Sequence, residues 1–470
     1  MSQSEKKLVM AVIVMVICAA LVLSAVIYAS LTFQDAATSP TPSPTLMPNP
    51  TPTPTISPAP TPTPTETIQG DYSDIIAAID SAVEGDTIYV KKGTYEFPIN
   101  QTLVINKTLS LMGEDAKNTI LNIYPAYNET WILTSPFFNY SDAITIDANG
   151  VSLLNLTINI ANPGGYISAT GDRIQIIGNT ITSGPSVGLL MNGSYCKIND
   201  NIMGGRIQLK GFYNEVDHNS FSYIHLDGDS NTVSNNTCTH IGLGYYSHQN
   251  SHNIIYGNIV KTDTRGYSGI SLTDSSNNSL YENHISGFIY GIKLWFSSNN
   301  TITANTIADS LAASIDLGSS SNNNIYLNNF VDNMEWVPYV YDSYTDRPIR
   351  EANPNMTVST NFWDNGKEGN YWSSYNGTDD NRDGIGDTPY VVVENDADRY
   401  PLMQPFATSA PKAATASEAT CSTQIESQKV LQSFHVFVYR SMRSEYCLVD
   451  NCISQSIGKI HIYTCMFLAC

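Results

Sequence analysis

The sequence predicts an all-β solenoid, on the basis of its composition and of a repeat. Only 14% of the 470 residues are charged although 42% are hydrophobic, so Asn, Ser and Thr must supply much of the polar surface. This composition favours strands and turns over long helices. Short strand-like segments, separated by Gly, Asn and Asp, recur with a period near 22 residues. A period of this length is typical of solenoids.

The repeat is marked by Asn followed by aliphatic or small residues. The nine segments begin at Asn155, Asn179, Asn201, Asn219, Asn236, Asn258, Asn283, Asn305 and Asn329. Another Asn usually lies five residues earlier, at Asn214, Asn231, Asn253, Asn278, Asn300 and Asn324. One coil is too thin to bury its own core, so we expect the coils to stack and their Ile, Leu and Val side chains to form inward ladders. Asn suits the turns because it tolerates left-handed backbone and its amide can bond the equivalent Asn of the next coil.

The N-terminal third begins with segments of a different kind. Residues 8–31 carry no charge and would span about 36 Å as a helix, enough to cross a bilayer. We expect a single-pass anchor within residues 1–34 that places the rest of the chain outside; a cleaved signal peptide is the alternative. Residues 35–69 contain eleven prolines and predict an extended, disordered stalk. A short amphipathic helix is predicted over residues 72–84.

Charge and cysteine usage exclude two classes of function. The net charge is −20, from 23 basic and 43 acidic residues, and an acidic chain repels nucleic acid. Cys196 and Cys238 are the only cysteines between residues 19 and 420, so neither a disulfide framework nor a Cys-x-x-Cys metal site is predicted there.

Particular motifs resemble a known group of proteins. The sequence from Gly85 to Tyr95, after the predicted helix, resembles the N-terminal cap and first coil of right-handed parallel β-helix proteins. The Asn-x-Ile repeats resemble the pectate-lyase-like coils of the NosD and carbohydrate-binding, sugar-hydrolysis repeat group. Residues 361–364, 369–372 and 379–390 look like the C-terminal end of archaeal NosD-like surface proteins. The resemblance implies a right-handed parallel β-helix at 70–345, capped at its N-terminus by the short helix, and its C-terminal end at 346–406. It leaves binding, lyase and epimerase activities open.

Residues 407–470 contain five cysteines and lack the Asn period. Nothing in this tail predicts a fold or a role.

A row of polar side chains is predicted on one outer surface of the solenoid. The triplets 207–209, 224–226, 270–272, 292–294 and 315–317 align with Ile and Leu pointing inward, so their middle residues point outward. This outward column reads Gln208, His225, Ser271, Lys293 and Asp316, and the next outward positions add Lys210, Asp227, Thr273 and Trp295. Charged groups and an exposed ring on one flat sheet predict binding of a sugar polymer. An ordinary polar solvent face is the alternative.

Two other activities remain open. A lyase or epimerase acting on acidic polysaccharide needs a base and a cation, roles that His225 and Lys210 or Lys293 would take, although no catalytic motif is present. The resemblance to NosD proteins, which are associated with copper-site maturation, also implies metal handling. Six of the eight histidines lie between residues 218 and 284: His218, His225, His240, His248, His252 and His284. His248 and His252 lie in a polar loop, Ser247 to Asn253, with no Met or Cys partner nearby, which favours solvated histidines there.

The sharpest motif is an acidic loop near the end of the predicted β-helix. It offers oxygen ligands at positions 1, 3, 5, 7 and 9, from Asp379, Asn381, Asp383, the Ile385 carbonyl and Asp387. Gly384 allows the bend, but Tyr390 replaces the bidentate Glu of an EF-hand. We expect a structural Ca²⁺ ion.

Together these patterns predict a membrane-anchored protein on the extracellular face that binds a polysaccharide or forms part of a surface glycan layer. Asn-x-Ser/Thr sequons agree with an extracellular glycoprotein; among them are Asn106, Asn128, Asn139, Asn155, Asn192, Asn235, Asn277, Asn299, Asn355 and Asn376.

Overall fold

Three short strands and the turns between them form one coil, and successive coils stack into a parallel β-helix. The computed structural model describes residues 66–126, 141–161, 165–183, 187–244, 249–334, 360–393 and 396–407. It also describes the backbone of Tyr341–Asp342, Arg347–Pro348, Ile453–Ile457 and Ile460–Thr464, two antiparallel strand pairs. The predicted anchor and nearly all of the predicted stalk lie outside the described residues. Within the described ranges, no helix has the length and apolar character that a membrane crossing requires.

Helix α1, Tyr72–Ser81, precedes the first complete coil. Its start is fixed by a capping box in which Asp71 accepts from the Ser73 N–H at 2.7 Å and Asp74 accepts from the Asp71 N–H at 3.0 Å. Ile75, Ala78 and Ile79 are buried, as the helical spacing predicts. The helix ends three residues before the predicted position because Ala82 turns to extended backbone, leaving Val83 exposed.

The first face is a sheet of twelve parallel strands, one from each coil. Its strands are Glu66–Ile68, Asp86–Val90, Leu109–Gly113, Ser152–Leu154, Gln175–Ile177, Lys197–Asn199, Glu215–Asp217, Thr232–Ser234, Ile254–Tyr256, Ser279–Tyr281, Thr301–Thr303 and Asn324–Tyr326.

The second face follows the first around each coil. Its separate strands are Gly93–Ile99, Thr119–Tyr124, Thr157–Ile160, Thr180–Thr182, Ile202–Met203, Thr237–Cys238, Thr306–Ala308, Asn329–Val331 and Tyr371–Trp372. The third face contains Leu103–Ile105, Ser141–Asp147, Gly165–Thr170, Val187–Asn192, Arg206–Lys210, Tyr223–Asp227, His240–Leu243 and Ala313–Gly318. Two long strands, Ile259–Thr273 and His284–Trp295, run around the corner and belong to both faces. Short pairs at Asn250–Ser251 with Ser275–Ser276 and at Tyr390–Val393 with Asp396–Asp398 complete the strands.

Aliphatic ladders fill the interior, as the repeat predicts. On the first face, eleven residues in successive coils stack directly: Ile88, Leu111, Leu153, Ile176, Ile198, Val216, Val233, Ile255, Leu280, Ile302 and Ile325. All are at most 1% exposed. Because each ladder residue packs between its equivalents, the core is continuous along the whole stack.

Two asparagine ladders hold the turns that flank the first face. In each ladder, the side-chain oxygen of an Asn accepts a hydrogen bond from the backbone N–H of the ladder Asn one coil earlier. At most steps the same oxygen also accepts from the side-chain N–H₂ of that earlier Asn. The first ladder runs through Asn179, Asn201, Asn219, Asn236, Asn258, Asn283, Asn305, Asn328 and Asn370. The second runs through Asn214, Asn231, Asn253, Asn278, Asn300, Asn323 and Asn361. The predicted turn asparagines thus bond from coil to coil.

The predicted register is wrong at three of these positions. Asn155 is exposed with φ of 53°, and the first ladder begins one coil later, where Asn179 accepts from the Leu156 N–H. The ladder residues near the C-terminal end are Asn323 and Asn328, not the adjacent Asn324 and Asn329. Neighbouring asparagines make the repeat ambiguous there, and only the inward or outward direction of the side chain distinguishes them.

Both ladders end on aspartates of one strand. The Asn370 N–H donates to Asp398 at 2.6 Å, and the Asn361 N–H donates to Asp396 at 3.2 Å. An ionised carboxylate accepts hydrogen bonds but has no N–H to donate, unlike the amide of Asn. An aspartate therefore suits the last position of a ladder, where no further coil supplies an acceptor. Asp398 also accepts from the Trp372 indole N–H at 2.9 Å.

We expect Asn305→Ala to lower the free energy of unfolding by about 2–3 kcal/mol, because it leaves buried donors and acceptors of two coils unpaired. Asn305 accepts from Asn283 and donates to Asn328 and to the Leu280 carbonyl. The exposed Asn324→Ala is the matched control and should change stability by less than about 0.5 kcal/mol. Urea denaturation measures both; equal effects would contradict the ladder's role.

We expect the stability of the wild type to fall as pH rises through about 6. Burial raises the pKa of Asp398 from 3.8 to about 6, against the opposing hydrogen bonds from Trp372 and Asn370. Between pH 3.8 and about 6, the Asp398 carboxyl is therefore protonated in the folded state and ionised in the unfolded state. This difference contributes about 3 kcal/mol to the free energy of unfolding below pH 4, and the contribution is lost above pH 6. Denaturation at pH 4, 5, 6 and 7.5 should show this slope, and Asp398→Asn should flatten it. An unchanged slope in the variant would refute the assignment.

Candidate functional site on the third face

The outward side chains of the third face form two columns that follow the stack. Strand pairing places Gln208, His225, Gly242, Ser271, Lys293 and Asp316 in the middle column. In the second column Lys210 lies beside Asp227, and Thr273 lies beside Trp295. The seven residues that the sequence nominates as ligand-binding therefore share one face, spaced by about 4.8 Å per coil. The sequence interpretation omitted Gly242, although 241–243 matches the same Ile-x-Leu triplet.

Lys293 lies at the centre of an aromatic cluster. Its Nζ is 4.8 Å from the ring centroid of Tyr290, 5.4 Å from Trp295 and 5.6 Å from Tyr267. Its side chain is only 15% exposed and forms an ion pair with Asp316. Burial alone would lower the pKa of Lys293, but the Asp316 carboxylate outweighs it and raises the pKa. The cation thus holds the three rings in place by cation–π contacts.

One ring of this cluster, Tyr267, is exposed, whereas Tyr290 and Trp295, the ring that the sequence predicts to be exposed, are half-buried. Tyr267 is 58% exposed and meets Tyr290 edge to face at 5.4 Å. Trp295 packs edge to face against Phe296, which is 51% exposed. The sequence did not predict Tyr267 or Tyr290, because both lie outside the Ile-x-Leu triplets, near the corner between the second and third faces.

A pair of histidines lies on adjacent coils, with His225 three coils and His240 two coils before Lys293. His225 and His240 have ring centroids 6.2 Å apart, and Tyr223 stacks on His240 at 4.4 Å. The pKa of each histidine is lowered to about 4, mainly by burial, and for His225 also by the neighbouring His240 and Arg206. Both imidazoles are therefore neutral at pH 7.

The orientation of His240 follows from its two contacts. Its Nδ1 lies 2.8 Å from the Ser268 carbonyl, an acceptor, so Nδ1 carries the proton. Nε2 then accepts from the Ser271 hydroxyl at 3.2 Å. Gly242 is needed beneath the ring, because a Cβ there would lie 2.9 Å from Nε2. The sequence missed this contact because His240 and Ser271 are 31 residues apart.

Asp227 presents an acceptor that the described part of the chain does not satisfy. The residue is 9% exposed, and within the described ranges its buried Oδ1 has no hydrogen-bond partner. Buried carboxylate oxygens are normally paired, so this atom requires a donor.

The other histidines that the structure describes do not gather into a metal site. His218 bonds Asp217 at 2.5 Å, and Asp217 also accepts from Ser234 and Asn235. His252 contacts Ser251 at 3.1 Å, whereas His248 lies outside the described residues. Among the side chains that the structure describes, no group of three or more His, Cys, Asp and Glu is arranged to hold a metal ion.

The acidic loop is held by its own backbone. Asp379 accepts from the Asp383 and Gly384 N–H groups at 3.1 and 3.0 Å, and Asp383 accepts from the Ile385 N–H at 2.9 Å. Asp387 accepts from the Asp380 N–H at 2.7 Å. Gly384 has φ of 90°, as the predicted bend requires. Among the described residues these carboxylates bond the loop's own backbone and are not gathered around one point as metal ligands would be.

Comparison with known proteins places this geometry in context. Residues 208–377 match the model of the family described as periplasmic copper-binding protein (NosD). No curated protein matches the chain. Among solved structures, the A-module of a mannuronan C-5 epimerase from Azotobacter vinelandii is 12% identical, with 56% of this chain and 90% of that chain covered and a TM-score of 0.37. A PL6 family polysaccharide lyase from Pseudopedobacter saltans is 13% identical, with 75% and 100% covered and a TM-score of 0.38. The chain is a parallel β-helix protein whose residues 208–377 match the NosD family model.

Proposed function

We propose that the third face binds a polysaccharide and that the protein acts on the outer side of the membrane as a glycan-binding β-helix. The observation that carries this proposal is the cluster of Tyr267, Tyr290 and Trp295, fixed around Lys293 on an outer surface. Rings held at the surface offer the apolar faces of sugars a contact that needs no side-chain ordering on binding.

The polar residues of the same columns supply the directional contacts. The Asp227 carboxylate accepts from a pair of sugar hydroxyls, and Gln208 and Lys210 donate to ring or carboxylate oxygens. A polymer that lies parallel to the stack meets a new outward residue about every 4.8 Å, close to the length of one pyranose unit. The third face therefore suits an extended chain better than a small molecule.

The N-terminal sequence supports a surface location. The apolar segment at 8–31 would anchor the chain, and the proline-rich stalk would hold the β-helix away from the lipid. Several sequon asparagines are exposed, namely Asn106, Asn155, Asn192, Asn277, Asn299 and Asn376. These positions suit an extracellular glycoprotein.

We expect Trp295→Ala to weaken binding of the best ligand about tenfold or more, because it removes one ring of the cluster. Asp227→Asn should also weaken binding, since it replaces one acceptor by a donor. Isothermal titration with oligomers of galacturonate, alginate, cellulose and xylan measures these changes.

The matched control is Tyr256→Ala on the first face, where Tyr256 stacks on Tyr281 at 5.0 Å, far from the two columns. It should leave affinity unchanged. Absence of binding by the wild type to every oligomer, or equal losses in control and test variants, would refute the proposal.

A lyase or epimerase is the second candidate, and the neutral His225 favours it. An unprotonated imidazole abstracts the C5 proton of a uronate; the C5–H electron pair forms the C4=C5 double bond as the C4–O bond breaks, and the departing oxygen takes a proton from water. Because the pKa of His225 is about 4, the base is available throughout the neutral range. Ultraviolet absorbance of the same incubations detects the unsaturated product of a lyase, and His225→Ala is its control.

We further propose that Ca²⁺ orders the acidic loop. Asp379, Asn381, Asp383, the Ile385 carbonyl and Asp387 would hold it, and its charge would offset the repulsion among the carboxylates.

We therefore expect calcium to raise the melting temperature of the wild type relative to chelator, because it binds the folded form. Asp383→Ala should abolish this response, whereas Asp380→Ala, which removes a neighbouring carboxylate outside the ligand set, should retain it. Thermal melts with calcium and with chelator measure the difference. Identical wild-type melts in the two buffers would reduce the loop to an acidic turn.

A further inference from the structure

The corner between the third and first faces contains one left-handed residue per coil. These residues are Arg173, Tyr195, Tyr213, Ser230, His252, Asn277, Asn299 and Asn322, with φ between 58° and 60°. The backbone repeats at this position: Arg173 N–H donates to the Ser194 carbonyl at 2.9 Å, and Tyr195 N–H donates to the Phe212 carbonyl at 2.9 Å. The stack therefore imposes this conformation whichever residue occupies the position.

Two consecutive coils place a tyrosine at this position. The last three coils of the series use Asn, which tolerates left-handed backbone because its short polar side chain bonds locally. A bulky aromatic residue gains no such compensation and is strained there. Strain of this kind persists mainly where the side chain serves a function.

The tyrosines do not contribute to the core. Tyr195 is 53% exposed and Tyr213 57% exposed, and Phe212 beside them is 49% exposed. The Tyr195 and Tyr213 rings stack at 5.1 Å with an interplanar angle of 12°. The Arg173 guanidinium carbon lies 5.8 Å from the Tyr195 ring centroid. Arginine and two rings thus form a three-tier stack on the surface.

The stack has an open end and a link to the third face. The next tier carries Ser230, whose side chain is too short to cover the far face of Tyr213. Phe212 and Tyr213 also follow Lys210 by only two and three residues, at the end of strand Arg206–Lys210. The corner is therefore continuous with the second column of the third face.

We propose that this corner is a second glycan-binding subsite, specific for an acidic polysaccharide. The face of Tyr213 takes the apolar side of a sugar ring, and Arg173 pairs with a uronate carboxylate in the bidentate geometry that guanidinium favours. The choice of a polysaccharide rests on the function proposed above.

The test replaces the two tyrosines that are strained by left-handed backbone. Tyr195→Asn and Tyr213→Asn restore the residue that other coils use, so the double variant should melt about 2 °C or more above the wild type. The same variant should bind a galacturonate hexamer about tenfold more weakly by isothermal titration. Arg173→Asn should weaken binding of galacturonate but leave that of the neutral cellohexaose unchanged.

Three outcomes separate this inference from the proposed function. If Trp295→Ala weakens galacturonate binding but the double Tyr→Asn variant binds as the wild type does, the corner is no subsite and the third-face proposal stands. If the double variant melts below the wild type and binds normally, the tyrosines are structural. If the wild type binds neutral oligomers but no acidic one, this inference fails and the third-face proposal stands, whereas a wild type that binds neither kind refutes both.

Discussion

The coil-to-coil hydrogen bond of the asparagine ladders is the interaction on which the rest of this structure depends. A turn that leaves one strand and enters the next buries backbone groups that no strand partner can reach. Each ladder Asn satisfies them: Asn258, for example, accepts from Asn236 and donates to the Val233 and Tyr256 carbonyls. The bonds polarise one another along the stack, so each coil stabilises the geometry of the next.

Because the ladders and the aliphatic interior fix the backbone, the outward positions are free to vary. The register that stacks Ile302 between Leu280 and Ile325 also keeps third-face side chains such as Ser271 and Lys293 in a single column. One coil contributes a glycine, Gly242, and thereby lets His240 reach Ser271 on the next coil. The chemistry of the face thus comes from residues that the fold itself does not require.

Different elements close the two ends of the stack: a helix at the N-terminal end and aspartate acceptors at the C-terminal end. Helix α1 buries Ile75 and Ile79 at the N-terminal end, where an uncovered edge of the sheets would invite pairing with other chains. At the C-terminal end Asp396 and Asp398 stop the ladders with acceptors, and the Arg399 guanidinium bonds Asp364 across the same segment. The buried charge at Asp398 is tolerated because several N–H donors point at it.

The sequence by itself determined the solenoid, the short N-terminal helix and the outward columns. A period near 22, Ile-x-Leu triplets and turn asparagines are local patterns, and they suffice to place Lys293 and Asp316 side by side. Only the tertiary structure decided which asparagine of an adjacent pair enters a ladder, because Asn328 and Asn329 differ solely in the direction that stacking gives them. It also brought Tyr267 and Tyr290 to Lys293, since irregular corner segments carry no period from which contacts can be counted.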